Sequence, residues 1–335
     1  MPTSELAPGP APVTPAAGGR PAAGGPAGPA VVGTARPARR RPLRRGLSAY
    51  LLLVPAVVAM VAGLGYPLVR QLVISFQEYG LAQQFGRPAE WVGLRNYTEL
   101  LSDPYVWQVI ARSLAFCAVN AVLTMALGIG LAVLMARVGR VARITLQVAM
   151  LLAWGTPVLA TLTVWQWLFD SQYGVVNWLL AEPFGMEGMR YHSWLIDPLS
   201  FYFVATVIVV WMSVPFVVFT VYAGLLQVPE ETMEAAQLDG ASASQRFWLI
   251  TMPMVKPVLY VVGLLQVIWD LRVFTQISVL QRAGAPTRET HLLGTYIYSL
   301  AKEFSMAGAM ATIMLVLTLV LTAAYIRRML AQEEL

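Results

Sequence analysis

Lysine and histidine are nearly missing from this chain, with two of each in 335 residues, and cysteine occurs once, as Cys117. Charge of either sign is scarce. Only 12% of residues are Asp, Glu, Lys or Arg, where soluble domains carry about a quarter. Each shortage excludes something. A single cysteine leaves no disulfide framework. His192 and His291 fall in separate predicted loops and make no metal pair. No Ser/His/Asp or Cys/His grouping comes within reach in the predicted topology, so the chain is not read as an enzyme. The pattern G-x-x-x-x-G-K-S/T is absent, with Lys256 and Lys302 the only lysines, so the chain has no phosphate cradle of its own. Basic residues outnumber acidic ones by 23 to 18, but the arginines cluster beside apolar runs. They do not form the aromatic-and-basic surface of a soluble domain, which argues against nucleic acid as a partner.

What is present is apolar sequence of membrane length. Hydrophobic residues make up 57% of the chain, and a helix needs about 20 of them in succession to cross the hydrocarbon core. Five runs without charge qualify, at residues 51–69, 113–136, 144–169, 198–229 and 304–326. A sixth, between Lys256 and Arg282, is broken only by Asp270 and Arg272. The fold class expected is therefore an all-α membrane protein of six transmembrane helices. Residues 1–46 form a basic Pro/Ala/Gly-rich tail expected to be disordered. Residues 47–106 hold the first helix and first outer loop, 107–328 a core of five helices, and 329–335 a terminal tail. The first run is longer than a signal-peptide core and lacks a convincing cleavage site, so it reads as a retained helix. With the N-terminus inside, 14 of the 23 basic residues fall on inner segments and 6 on outer loops, which predicts that both termini are cytoplasmic. Tyr66, Trp107, Trp165, Trp167 and Tyr202 gather at the predicted outer ends, as an interfacial belt would.

One polar segment interrupts the apolar runs. After Pro229, Glu230 and Glu231 sit at the positive end of a short helix, which Asp239-Gly240 should end because glycine accepts the left-handed conformation. Ser242 followed by Gln245 reads as a capping box opening a second arm with Phe247, Trp248 and Ile250, which runs into Pro253. Two arms joined by a fixed turn make a lever rooted in the fifth span. An interfacial hairpin with no partner is the plainer reading of the same shape.

The spacing Glu234-Ala235-Ala236, three residues, Gly240, nine residues, Ile250-Thr-Met-Pro253 resembles the cytoplasmic loop of binding-protein-dependent ABC importer permeases, with Met252 where that family usually has Leu. The resemblance extends over most of residues 48–328 and is closest to the carbohydrate-uptake branch, the maltose and glycerol-3-phosphate type. Tyr66-Pro67, Val92-Gly-Leu-Arg-Asn-Tyr97, Leu101-Ser-Asp-Pro104, Trp167-Leu-Phe169 with Tyr173-Gly174, and Val273-Phe-Thr-Gln276 carry it in order. Ala283-Gly-Ala-Pro286 departs from the glycine run common there. The resemblance implies a type I importer permease subunit in a bacterial cell membrane, moving a sugar or oligosaccharide by alternating access. It implies a coupling helix at Glu234, Ala235, Ala236, Asp239, Gly240, Ile250 and Pro253 that docks on an ATPase. It also implies a second permease, giving a heterodimer, two cytoplasmic ATPase subunits that bind ATP and magnesium, and an extracytoplasmic solute-binding protein. No cofactor is expected on this chain.

Charge inside a span is costly and marks function by default. Asp270 and Arg272 stand two residues apart and point away from each other on a helix. Each needs a partner on another span or a wet cavity. Asn120, Trp211 and Trp269 complete the candidate substrate path, because aromatic faces stack on sugar rings and polar groups bind hydroxyls. The alternatives are packing or lipid-facing aromatics, and a structural salt bridge for the two charges. An ion-coupled secondary transporter using Asp270 is the competing function, but such proteins often show more spans and inverted halves. Pro157 and Pro215 are expected to kink or loosen their spans.

Overall fold

The computed structural model describes residues 44–333, so the expectation for the N-terminal tail lies almost wholly outside the described residues. Helix α1 (Arg44–Met60) passes through a π-helical turn (Val61–Gly65) into α2 (Tyr66–Ser75). Residues from Val58 onward form one compact unit, and the packing below is that of this unit. Beyond α2, strands β1 (Gln77–Glu78) and β2 (Glu90–Trp91) pair antiparallel around α3 (Leu81–Gln84), with Gln77 opposite Trp91. Helix α4 (Arg95–Ser102) then leads into α5 (Pro104–Arg137).

Helices α6 (Arg140–Gly155) and α7 (Val158–Leu168) occupy the third apolar run, which is not one straight span. They meet at 102°. Pro157 has no N–H to give and disfavours helical ψ in the residue before it, and Thr156 is accordingly extended at ψ 131°. A short α8 (Val175–Ala181) precedes α9 (Pro198–Leu225), which runs unbroken through Pro215. Pro215 therefore does not interrupt its span. Then come α10 (Glu230–Leu238), α11 (Ala243–Arg246), a π-helical turn (Phe247–Thr251) and α12 (Met252–Leu271). Helices α13 (Thr275–Arg282), α14 (Thr287–Thr290) and α15 (Leu293–Ser299) lie before α16 (Phe304–Glu333). Among the described residues five helical stretches are long and apolar enough to span a membrane, or six with the bent α6–α7 pair taken as one.

Two of these helices start the same way for the same reason. Asp103 accepts a hydrogen bond from the Tyr105 amide at 2.8 Å, and Asp197 accepts from Leu199 and Ser200 at 3.0 Å each. In each case proline follows at the first helical position, where its missing N–H costs nothing. Such caps contribute about 1 kcal/mol each, and here they fix where α5 and α9 begin. The two helices then pack face to face. Val217 of α9 lies so close to Gly128 of α5 that a Cβ there would come within 2.4 Å of Val217 Cγ1. Around this contact the core has an elbow-side cluster of Met135, Val217, Val218, Val221 and Val255 and an opposite cluster of Phe116, Leu162, Phe201, Ile208 and Ile277. A third cluster joins α5, α15 and α16 through Val109, Leu293 and Met310.

Candidate functional site

At the elbow, α10 ends in a hydrogen-bonded left-handed turn. Gly240 has φ +82°. Its amide donates to the Gln237 carbonyl at 3.1 Å, and the Ala241 amide reaches back to the Ala236 carbonyl at 2.9 Å. These two bonds satisfy carbonyls that the helix end leaves open. The capping box forms as the sequence predicts: the Ser242 amide donates to Gln245 Oε1 at 2.8 Å, and Ser242 Oγ accepts from the Gln245 amide at 3.3 Å. A third tie is not legible locally. Arg246 Nη1 donates to Gln237 Oε1 at 2.6 Å and bridges the two arms.

The second arm differs in kind from the separate helix expected. Pro253 cannot donate to the Leu249 carbonyl. The turn ahead of it widens so that the Met252 amide donates to Phe247 instead, and the arm continues without interruption into α12. Behind the elbow root a cleft of about 450 Å³ separates it from the ends of α5 and α9, lined by Val133, Arg137, Leu225, Met233, Arg246 and Phe247 among others. Glu234, Ala235, Asp239, Gly240 and Pro253 are exposed, with Ala236 and Ile250 half-buried. Leu238, at the tip, is 89% exposed. The elbow is thus an exposed apolar tip on a braced, acidic two-armed turn that continues into a helix of membrane-spanning length.

The five candidate path residues separate into two groups. Asn120 and Asp270 are sealed inside the chain. Asp270, 3% exposed, accepts from Gln266 Nε2 at 2.9 Å on both carboxylate oxygens. Asn120 donates to the Phe116 carbonyl at 2.8 Å, and its Oδ1 has no hydrogen-bond partner among the described residues. Arg272, Trp211 and Trp269 are exposed. Asp270 and Arg272 form no ion pair with each other; the salt bridges among the described residues are Arg95–Glu78 and Arg190–Glu182.

Trp269 packs on Phe216 with ring centres 4.9 Å apart, and Phe216 in turn faces Trp154 at 6.3 Å. Trp211 meets Trp165 edge-on at 5.8 Å. The aromatic line therefore draws on α6, α9 and α12, and it passes the point where α6 breaks at Gly155. Sequence reasoning missed Trp154 and Phe216. The signal available was Pro157, three residues after Trp154, which ends α6 at Gly155.

On the face opposite the elbow, Tyr105 and Arg112 of α5 pin the 288–291 segment. Arg112 donates to the carbonyls of Arg288 and Glu289. The Tyr105 hydroxyl bonds the Arg288 carbonyl and His291 Nδ1 at 2.7 Å each. Burial, and secondarily the nearby Arg112 charge, hold the His291 imidazole below its ordinary value, so it stays neutral near pH 7. No group of three or more metal-ligating side chains occurs among the described residues.

Comparison with known proteins places this geometry. Residues 128–332 match the family described as binding-protein-dependent transport system inner membrane component. Over 291 residues the chain is 43% identical to the diacetylchitobiose uptake system permease protein DasB of Streptomyces coelicolor, covering 86% of this chain and 88% of that one. It is 30% identical to the trehalose/maltose transport system permease protein MalF of Thermococcus litoralis, covering 83% and 92%. Among solved structures it is similar in fold to a chain of a bacterial ABC transporter that imports the acidic polysaccharide alginate. The TM-score is 0.73 at 21% identity, over 85% of this chain and 95% of that one.

Proposed function

The chain belongs to the family of binding-protein-dependent transport system inner membrane components, and from that premise we propose that it carries a sugar or oligosaccharide, handed over by an extracytoplasmic binding protein, into the cytoplasm. It is a multi-pass permease subunit of an ABC importer, and ATP is hydrolysed by separate subunits. The carbohydrate substrate is supported by relatives named for uptake of diacetylchitobiose and of trehalose/maltose.

The observation that carries the mechanism is the braced elbow, fused through a π-turn to α12. In the proposed assembly two ATPase subunits bind ATP and magnesium, close, and draw this elbow and that of a second, different permease together. Because the turn at Gly240 is closed by its own hydrogen bonds, the pull is not absorbed by local bending and moves α12. The line of Trp269, half-buried Phe216 and Trp154, exposed at its two tryptophans, with Trp211 and Arg272, then faces the path shared with the second permease. Sugar rings stack on such faces while water occupies the rest. Asn120 and Asp270 act on that path through packing, since both lie inside the chain. Arginine asymmetry supports cytoplasmic termini in a bacterial plasma membrane.

The test is Gly240→Val in the reconstituted assembly. At φ +82° a β-branched residue is strained by about 1–2 kcal/mol or more, although a Cβ at Gly240 would meet open space. Binding-protein-stimulated ATPase activity and sugar uptake should fall together by about tenfold, the equivalent of about 1.4 kcal/mol, while the subunits still assemble. Unchanged uptake would remove the elbow from the mechanism.

A further inference from the structure

Residues 169–197 join α7 to α9 on the face opposite the elbow and fold into a small platform. Asp170 Oδ1 accepts from the Gln172 and Tyr173 amides at 2.8 Å each. The Gly174 amide closes the turn onto the Asp170 carbonyl at 3.1 Å, so tightly that a Cβ on Gly174 would stand 2.2 Å from that oxygen. Asn177, buried at the centre, donates to the carbonyls of His192 at 2.9 Å and Ser171 at 3.3 Å, and accepts from Trp194 Nε1 at 2.5 Å. One side chain therefore ties α8 to the segments on both sides of it.

On this platform lies a cleft of about 340 Å³ lined by Gln172, Tyr173, Trp178, Glu182, Arg190 and Tyr191 among others. Its rings stand open: Trp178 is 59% exposed and Tyr191 72%. Glu182 and Arg190 are ion-paired across it. The lining selects its ligand by exclusion. An anion would meet the Glu182 carboxylate, and a cation the Arg190 guanidinium. An acyl chain would be set against an amide and an ion pair. A neutral polyhydroxylated ring suits all of them: its C–H face covers an aromatic ring, and its hydroxyls both donate to the carboxylate and accept from the guanidinium and the amide. The volume falls within the range of small-molecule sites, and the braced platform lowers the cost of ordering it on binding.

We infer that this cleft is a saccharide subsite on the permease itself, outside the spans, holding one sugar unit against Trp178 and Tyr191 with Gln172, Glu182 and Arg190 on its hydroxyls. The inference rests on the carbohydrate reading above and adds to it a site that the transport path does not require.

The experiment uses the assembled transporter in lipid nanodiscs, without binding protein, probed with N,N′-diacetylchitobiose and with maltose by saturation-transfer NMR. The expected result is transfer to ring C–H protons of at least one sugar. Trp178→Ala and Tyr191→Ala should each raise the half-saturating concentration about tenfold, the loss expected of one aromatic face, while Trp178→Phe retains binding. Equal transfer from wild type and Trp178→Ala overturns the inference. So does weakened docking of the binding protein in these variants with sugar contact unchanged, which would make the cleft a protein contact. Binding-protein-dependent uptake is measured on the same samples: wild-type uptake without any saturation transfer overturns the subsite while leaving the transport reading intact. Transfer that depends on Trp178 in an assembly that takes up neither sugar supports the subsite and counts against the substrate reading.

Discussion

Gly128 is the residue on which the two central helices depend. A Cβ there would meet Val217 Cγ1 at 2.4 Å and Val217 Cβ at 2.7 Å, and Val217 is β-branched, wholly buried and unable to swing aside. Gly128→Ala should therefore destabilise the purified protein by about 1–3 kcal/mol, the cost of overpacking. Gly130→Ala, two residues on and facing open space, should be neutral to stabilising by up to about 1 kcal/mol. Thermal unfolding in detergent distinguishes them, and equal melting points would contradict the close approach. His291 gives a second prediction. Its folded value lies below the ordinary 6.5, so the unfolded state binds the proton more tightly. The stability it confers is complete above pH 6.5 and is lost as pH falls through the folded value. Wild type should lose melting temperature between neutral and mildly acid pH more steeply than His291→Gln, and parallel curves would show that the Tyr105–His291 pin carries no such load.

Among the elements, the α6–α7 break decides the most. Pro157→Ala restores an N–H and releases Thr156 from its extended bias, so the 102° bend should relax toward a straighter span and move Trp154 away from Phe216. Uptake should fall while expression persists, and spin-label distances across residues 150 and 162 should lengthen. Unaltered distances would mean that packing, and not proline, sets the bend. The sequence announced this break through its proline but not its angle, which depends on neighbours far along the chain. The same limit explains the other gains and misses. Gly240 and the Ser242–Gln245 box were legible because a left-handed turn and a cap are satisfied within a few residues. The π-turn at Phe247–Thr251 was not, although Pro253 and Pro257 hint at irregular hydrogen bonding. Burial of Asn120 and Asp270 was not legible either. A helix apolar on every side gives no periodicity from which to read its inward face, and a charge in such a run looks the same whether it lines a path or is sealed against Gln266. The Trp154–Phe216–Trp269 line required three helices to be packed before it existed.

At the scale of the whole molecule, the proposed mechanism treats as a transmission the five spans found by length among the described residues (six with the bent α6–α7 pair), the polar elbow on one face and the braced platform on the other. In the proposed mechanism force enters at Leu238 and its neighbours, passes through a turn that its own hydrogen bonds hold shut, and reaches α12 without a hinge. The proposed substrate contacts lie toward the opposite face, where aromatic rings stand open. Separation of the two ends is what an alternating-access machine needs, since the nucleotide must act at a distance from the sugar. The account requires the elbow to lie in the cytoplasm under the ATPase. The most direct measurement is labelling of Leu238→Cys in a Cys117→Ser background with a membrane-impermeant thiol reagent. The account predicts no labelling in intact cells, strong labelling in inverted vesicles stripped of ATPase, and protection when the ATPase is added back. Labelling of intact cells from outside would contradict it.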